Sequence, residues 1–502
     1  MPTNPWRHLD VGMWLDFGDA PHRAPGDFSA AFAEMARLEA GAVANADEGR
    51  QVGHYWLRTP GIAPEGYGEE IVRIREVCRE LAAAIHREGA LRTVLVLGIG
   101  GSALGPQLVA DALGEPDDRM AIRFLDNTDP DGMARTLGSL DLRETLVLCI
   151  SKSGGTPETR NALIETKAAF ERAELPFAPQ AIAITGEGSQ LWNDAADWRA
   201  RVPMWDWIGG RTSVTSAVGL LPAFLQGIDV DGLLEGAAAL DALTRIPDAE
   251  ANPAARLAWA WYALSGGGRN TRAMVMLPYR DRLVLLSKYL QQLVMESVGK
   301  RLDRDGKEVH VGLTVYGNKG STDQHAYVQQ LRDGPDDHFV TFIQVLDDGW
   351  YGACDVEPGI DAGDTLQGLY LGTRRALREA GHPSITLTLH TLDAYRLGAV
   401  IALYERAVGL FAELVNVNAY HQPGVEAGKK AAAAVLTLKP KLLAALAEGP
   451  GTATELTARA GAEGESALTA AHNLLWRLAV NERGVAVTPG ETAEKDIFSS
   501  RG

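Results

Sequence analysis

Cysteine is scarce in this chain. Only three occur in 502 residues, Cys78, Cys149 and Cys354. They are odd in number and form no CxxC pair, which argues against a disulfide framework or a structural zinc site and fits a reducing cytoplasm. Cys149 lies inside the apolar run LVLCI and reads as an inert core thiol. Positive charge is also short: 48 Lys and Arg face 65 Asp and Glu, for a net charge of −17. That balance excludes the usual profile of a nucleic-acid binder. A small phosphate remains compatible with it, because main-chain N–H groups, hydroxyls and a few local cations can hold one. No hydrophobic run reaches the roughly 18 residues of a membrane helix. The opening MPTNPWRHLD has no basic stretch followed by an apolar one, so no secretory leader is expected. The histidines fall in no metal-ligating spacing and no HExxH occurs, so no metal is expected.

What is present is an ordinary globular composition, 46% apolar and 23% charged, in a chain of 502 residues. That length exceeds one compact core and calls for two or more domains. Short apolar runs at 93–97, 122–125, 146–150 and 181–185 alternate with helical patterns at 106–113 and 156–172. The alternation returns with strands at 273–277, 338–345 and 385–389 and helices at 281–298 and 395–415. Continuous apolar strands between helices predict parallel sheets covered on both faces. The expected fold is α/β, with two doubly wound parallel-sheet domains in tandem. Residues 1–240 are read as an N-terminal helical arm plus the first domain, and 241–430 as the second. Residues 431–502 form a helical, winged-helix-like extension, with helices at 441–447, 453–460 and 466–478 and a strand within 484–490. Seven basic against eight acidic residues in this tail suit a structural or interface role better than DNA binding.

Two glycine-rich turns each follow a strand and open a helix. The first, GIGGSALG at 98–105, lets the backbone approach a neighbour closely and offers helix-start N–H groups. It also fits the GxGxxA pattern of dinucleotide binders, with Asp126 placed where a ribose-binding acid would sit. The second, SKSGGTPET at 151–159, gathers three hydroxyls and two glycines ahead of Pro157 at a first helical turn. That set suits a phosphate monoester, and a dinucleotide enzyme has no need of it.

GIGGSALGP followed by SKSGGTPET resembles the sugar isomerase domain. GGRTSVTSAVG (209–219), MESVGK (295–300), GNKGSTDQHAYVQQ (317–330) and HQPGVEAGK (421–429) then resemble the glucose-6-phosphate isomerase family, in that family's order and across most of the chain. The resemblance implies two sugar isomerase domains and a cofactor-independent aldose–ketose isomerase, in a cytoplasmic homodimer serving glycolysis and gluconeogenesis. Its site would take a sugar phosphate. Such a reaction needs a base to move a proton between C1 and C2, stabilisation of an enediolate and a group to open the sugar ring.

Alone, Glu296 reads as an ordinary glutamate before a helix-stopping glycine. By resemblance it is the base, and a place at the end of an apolar helix would shield and strengthen it. By resemblance too, Arg211 stands near the enediolate, while His325 and Lys429 assist ring opening. His325 is expected to reach the partner subunit's site. Ser151, Lys152, Ser153, Thr156 and Gln422 would hold the phosphate, with Gly101 and Ser102 facing the sugar. Val298, the GNKGSTDQH sequence and His421 depart from the commoner family residues. Two alternatives stay open: an isomerase that also accepts mannose 6-phosphate, and a non-catalytic sugar-phosphate sensor. A sensor would not need Glu296, Arg211, His325 and Lys429 together. A third, the NAD-dependent dehydrogenase, would need nicotinamide.

Overall fold

The computed structural model describes residues 5–21, 28–349 and 354–501. The chain divides into two compact units, Met1–His421 and Gln422–Gly502. The fold is α/β, and the first unit is built on two large sheets, with two further two-stranded sheets among the described residues.

The first sheet has five strands, in the spatial order Ala121–Leu125, Thr93–Leu97, Thr145–Ile150, Ala181–Thr185, Ala200–Pro203. All are parallel. Its alternate side chains enter two separate cores. Val94, Val96, Leu146, Leu148, Ile182 and Ile184 face one side, against Ile74, Cys78 and Ile85 of the helix Tyr67–Glu88 and Leu221 and Leu225 of Ala217–Gln226. Leu95, Leu97, Val147, Cys149 and Ala183 face the other, against Ala162 and Phe170 of Pro157–Arg172. With both faces buried, the three central strands carry no polar alternation, which is why they read as unbroken apolar runs.

The second sheet has six strands, in the order Trp6–His8, Met13–Asp16, Ser384–Leu389, His338–Val345, Ala273–Pro278, Val315–Tyr316. The last four run parallel to one another. Met13–Asp16 joins them antiparallel, with Leu15 opposite Leu387. The N-terminal hairpin, grouped by the sequence reading with the first α/β domain, thus extends the second sheet. The largest core lies between this sheet and the helices Pro253–Leu264 and Ala394–Leu414.

A charge cluster, fully buried except for Glu39, joins four segments of this unit. Arg58 pairs with Asp241 and Glu405, and Arg406 with Asp241 and Glu39. Mutual ion pairing offsets the desolvation that isolated buried charges would suffer.

The expected single helix at 281–298 is instead three pieces: a 3₁₀ turn Asp281–Leu283, an α-helix Leu286–Leu290 and a π-helix Gln291–Glu296. The apolar stripe persists through Leu283, Leu286, Leu290, Leu293 and Val294, so periodicity alone reads one continuous helix.

The second unit has the helices Pro423–Ala447, Ala453–Arg459 and Glu465–Val480, followed by the antiparallel pair Val485–Thr488 and Ile497–Ser500. Leu442, Leu456, Leu475, Val485 and Phe498 form its own core. Three α-helices and one antiparallel strand pair thus make up this unit among the described residues. Among the described residues no helix is long and apolar enough to cross a membrane.

Candidate active site

In the first sheet, Thr93–Leu97 and Thr145–Ile150 are neighbours, yet their connections leave to opposite sides. Numbering these strands by their order along the chain, the sheet runs 2-1-3-4-5. Ligands of such folds bind in the crevice beyond the strand ends at this switch point. Both glycine-rich turns lie there, one after each strand.

Thr156 is the residue before the helix Pro157–Arg172, but its side chain makes no capping bond. Its Oγ1 lies 3.4 Å from Ser151 Oγ, which accepts from Gly154 N at 3.1 Å. Ser153 Oγ accepts from Gly155 N at 3.2 Å. Gly154 has φ +74, and a Cβ there would stand 2.5 Å from Leu191 N, so the loop needs glycine at this point. Lys152 Nζ donates to the carbonyls of Asp206 at 2.8 Å and Ile208 at 3.3 Å. Burial lowers its pKa, aided by Arg50 and opposed by Asp206. The result is a hydroxyl-lined loop with a lysine at its edge, tied to the chain just before Gly209.

The segment after Gly209 packs directly on the first glycine turn. A Cβ on Gly101 would stand 1.9 Å from the Gly210 carbonyl oxygen. Ser213 Oγ donates to Gly210 O at 2.7 Å. The close approach that glycine permits at Gly101 is therefore to the chain's own backbone, and Asp126 is already engaged by Gln107 Nε2 at 2.8 Å. Both features that raised the dinucleotide alternative have internal uses.

This packing aims Arg211 at the π-helix. Arg211 is 6% exposed. Its Nε donates to Ser297 Oγ at 2.8 Å, and its Nη2 donates to the carbonyls of Ala419 at 2.7 Å and His421 at 3.1 Å. That leaves Nη1 against Glu296 Oε2 at 3.3 Å. Burial lowers the Arg211 pKa and the Glu296 carboxylate opposes the shift. Gly299 lets the chain turn just after Glu296, since a Cβ there would stand 2.7 Å from Met295 O.

The structure therefore packs the turn of Gly101 and Ser102 on the segment that carries Arg211, ties the loop of Ser151, Lys152, Ser153 and Thr156 to the carbonyls of Asp206 and Ile208 just before it, and sets Arg211 against Glu296. His325 lies elsewhere on the unit, exposed at the end of the 3₁₀ turn Thr322–His325. Buried Asp323 pins that loop by accepting from the main-chain N–H groups of Asn318 at 3.1 Å and Lys319 at 3.0 Å and from Tyr327 Oη at 2.5 Å. Gln422 and Lys429 belong to the second unit. Gln422 directly precedes the helix Pro423–Ala447, and Lys429 is exposed within it.

Sequence reasoning missed Lys300, which closes the MESVGK motif. Its Nζ donates to the carbonyls of Glu296 at 2.8 Å and His421 at 3.0 Å. It also missed Gln292, one turn before Glu296. Its amide nitrogen lies 3.1 Å from where a Cβ on Gly100 would sit. The available signal was spacing: both stand four residues from Glu296 on the same stretch.

An open cavity of about 990 Å³ is lined by Lys152 and Ser153 of the hydroxyl-rich loop together with Glu65, Glu70, Glu187 and Asp206, whose carboxylates disfavour an anion on that side.

A parallel α/β scaffold with a hydroxyl-rich anion loop and a carboxylate–guanidinium pair at its switch point defines a sugar-phosphate-handling enzyme. The comparisons with known proteins narrow this class. The profile of the phosphoglucose isomerase family matches residues 30–348 and 373–445. The chain belongs to that family. It is 52% identical to a glucose-6-phosphate isomerase of Geotalea daltonii, over 96% of this chain and 95% of that protein. It is 57% identical to one from a Synechococcus strain, over 85% and 83%. Among solved structures it resembles the glucose-6-phosphate isomerase of Chlamydia trachomatis, with TM-score 0.79 and 26% identity over 87% of this chain and 90% of that one.

Proposed function

We propose that this enzyme interconverts glucose 6-phosphate and fructose 6-phosphate. The observation that carries the reading is the pair Arg211–Glu296, a guanidinium 3.3 Å from a carboxylate, with the hydroxyl-rich loop tied to the chain just before Arg211. The loop of Ser151, Lys152, Ser153 and Thr156, with Gln422, takes the phosphate. Gly101 and Ser102 face the sugar. His325 and Lys429 assist ring opening, one handling the ring oxygen's proton and the other the hydroxyl's.

In the open chain, Glu296 removes the proton from C2 of the aldose. The electron pair moves into the C1–C2 bond, and charge gathers on the C1 oxygen. Arg211 is a fixed cation beside that charge, in a site of low polarity where such stabilisation is largest. The hydroxyl proton passes from the C2 oxygen to the C1 oxygen, Glu296 returns its proton to C1 as the electron pair on the C2 oxygen forms the carbonyl, and the ketose results. No net oxidant or reductant enters, so the residues need supply only proton transfer and electrostatics.

The active species is a cytoplasmic homodimer. The exposure of His325 on a pinned loop favours its delivery to the partner's site, and the free cysteines Cys78, Cys149 and Cys354 suit a reducing compartment. The test is direct. Purified protein with fructose 6-phosphate should form glucose 6-phosphate, read through a coupled dehydrogenase. Absence of turnover, with the sugar phosphate still raising Tm, would replace this reading with the sensor.

A further inference from the structure

Lys300 is a buried lysine that the reaction as described does not use. It sits directly after the glycine that ends the base-bearing helix and starts the strand Lys300–Leu302. It is 6% exposed. A buried ammonium needs a reason to be there, because removing it from water is unfavourable unless its donors are satisfied. Here two donors are satisfied by main-chain carbonyls from both sides of the crevice, Glu296 O at 2.8 Å and His421 O at 3.0 Å. The same His421 carbonyl accepts from Arg211 Nη2 at 3.1 Å. Lys300 thus closes a ring that runs from the Glu296 main chain through His421 to Arg211 and back to the Glu296 carboxylate.

We propose that Lys300 is a positioning residue for proton transfer: its amino group fastens the Glu296 main chain to the His421 carbonyl and so holds the carboxylate against Arg211. The inference rests on the isomerase reading above. Without the fastening, the last turn of a π-helix followed by glycine has freedom to swing, and a base displaced by about 1 Å loses rate steeply.

The surroundings add an electrostatic consequence. Four titratable or permanently charged groups face Lys300. Arg211 comes from the Gly210–Thr212 turn, Glu296 from the π-helix, Asp47 from the turn Ala46–Glu48, and His421 from the end of the first unit. Burial lowers the Lys300 pKa to about 7, with Arg211 pushing the same way and Glu296 and Asp47 opposing. The neutral amine retains two N–H donors for the two carbonyls, so the fastening survives at higher pH. Below about 7 the cation additionally places a positive charge beside the Glu296 carboxylate.

The experiment compares wild type, Lys300→Met, Lys300→Gln and Lys300→Arg on fructose 6-phosphate across pH. Lys300→Met should lower kcat about 10- to 100-fold with KM within about threefold. Its acid-side limb of kcat/KM should move to higher pH, and Lys300→Arg should recover the limb and part of kcat. A purely structural lysine would change Tm without moving that limb. Should Lys300→Met not fold, Lys300→Gln, which keeps a donor without the charge, must show the same limb shift. A variant with wild-type kcat, or a lowered kcat with an unmoved limb, overturns the proposal. A wild-type protein that never turns over defeats the isomerase reading, and the proposal falls with it; that outcome is read before any variant is made.

Discussion

Arg211→Lys keeps the charge and removes the fork. In the folded protein Arg211 reaches in three directions, to Ser297 Oγ, to the Ala419 and His421 carbonyls and to Glu296 Oε2. A lysine has one nitrogen and cannot span them. His421 O would keep its bond from Lys300, but Ala419 O and Ser297 Oγ would lose theirs inside a buried site. At about 1–2 kcal/mol for each of the two buried groups left unpaired, the loss of stability is roughly 2–4 kcal/mol. The catalytic effect should be larger. If Arg211 stabilises the charge that develops on the enediolate, its misplacement resembles loss of an oxyanion donor, about 100- to 1,000-fold in kcat. KM should change far less, because the charge exists only on the way to the transition state. Coupled-assay kinetics give kcat and KM, and urea melts give stability on the same preparation. A stable variant within about threefold of wild-type kcat would refute the role given to Arg211.

Thr156→Val should raise KM for fructose 6-phosphate about tenfold, the worth of one hydrogen bond to an anion. Because the Thr156 side chain does not cap its helix, stability should stay within about 0.5 kcal/mol; an unchanged KM contradicts the phosphate loop. Gly101→Ala places a methyl 1.9 Å from the Gly210 carbonyl, so urea melts should show a loss of about 3 kcal/mol, and kcat should fall as the segment carrying Arg211 shifts. A variant as stable and active as wild type would mean that the two turns are not packed as described. Mixing unfolded Glu296→Gln and His325→Ala and refolding them together should restore up to about one quarter of wild-type activity, since half the dimers are mixed and each mixed dimer has one intact site. No recovery, or full activity in a monomer on gel filtration, argues against a shared site.

The parts legible in the sequence share one property, a signal that is local. The strands Thr145–Ile150 and Ala181–Thr185 were readable because they are buried on both faces and therefore almost wholly apolar. The two anion turns were readable because glycine and hydroxyl residues cluster between a strand and a helix. What escaped depends on distance in sequence. The pairing of Met13–Asp16 with Ser384–Leu389 leaves no local trace, and Val315–Tyr316 is too short to show a period. The cluster of Arg58, Asp241, Glu405 and Arg406 reads in sequence as surface charge, because its compensation comes from other elements. Lys300 was hidden for the same reason, since its partner His421 lies far along the chain. Glu296 itself was recognisable only through the motifs around it, and its meeting with Arg211 is a product of the fold.

The central claim is that Glu296 carries the proton between C2 and C1. Glucose 6-phosphate bearing deuterium at C2, incubated with wild type and with Glu296→Gln, tests it most directly. The wild type should yield fructose 6-phosphate and release part of the label to water. Glu296→Gln should retain all the label at C2 and form no ketose, while the sugar phosphate still raises its Tm. Loss of C2 label at the wild-type rate in Glu296→Gln would contradict the account and require a different base.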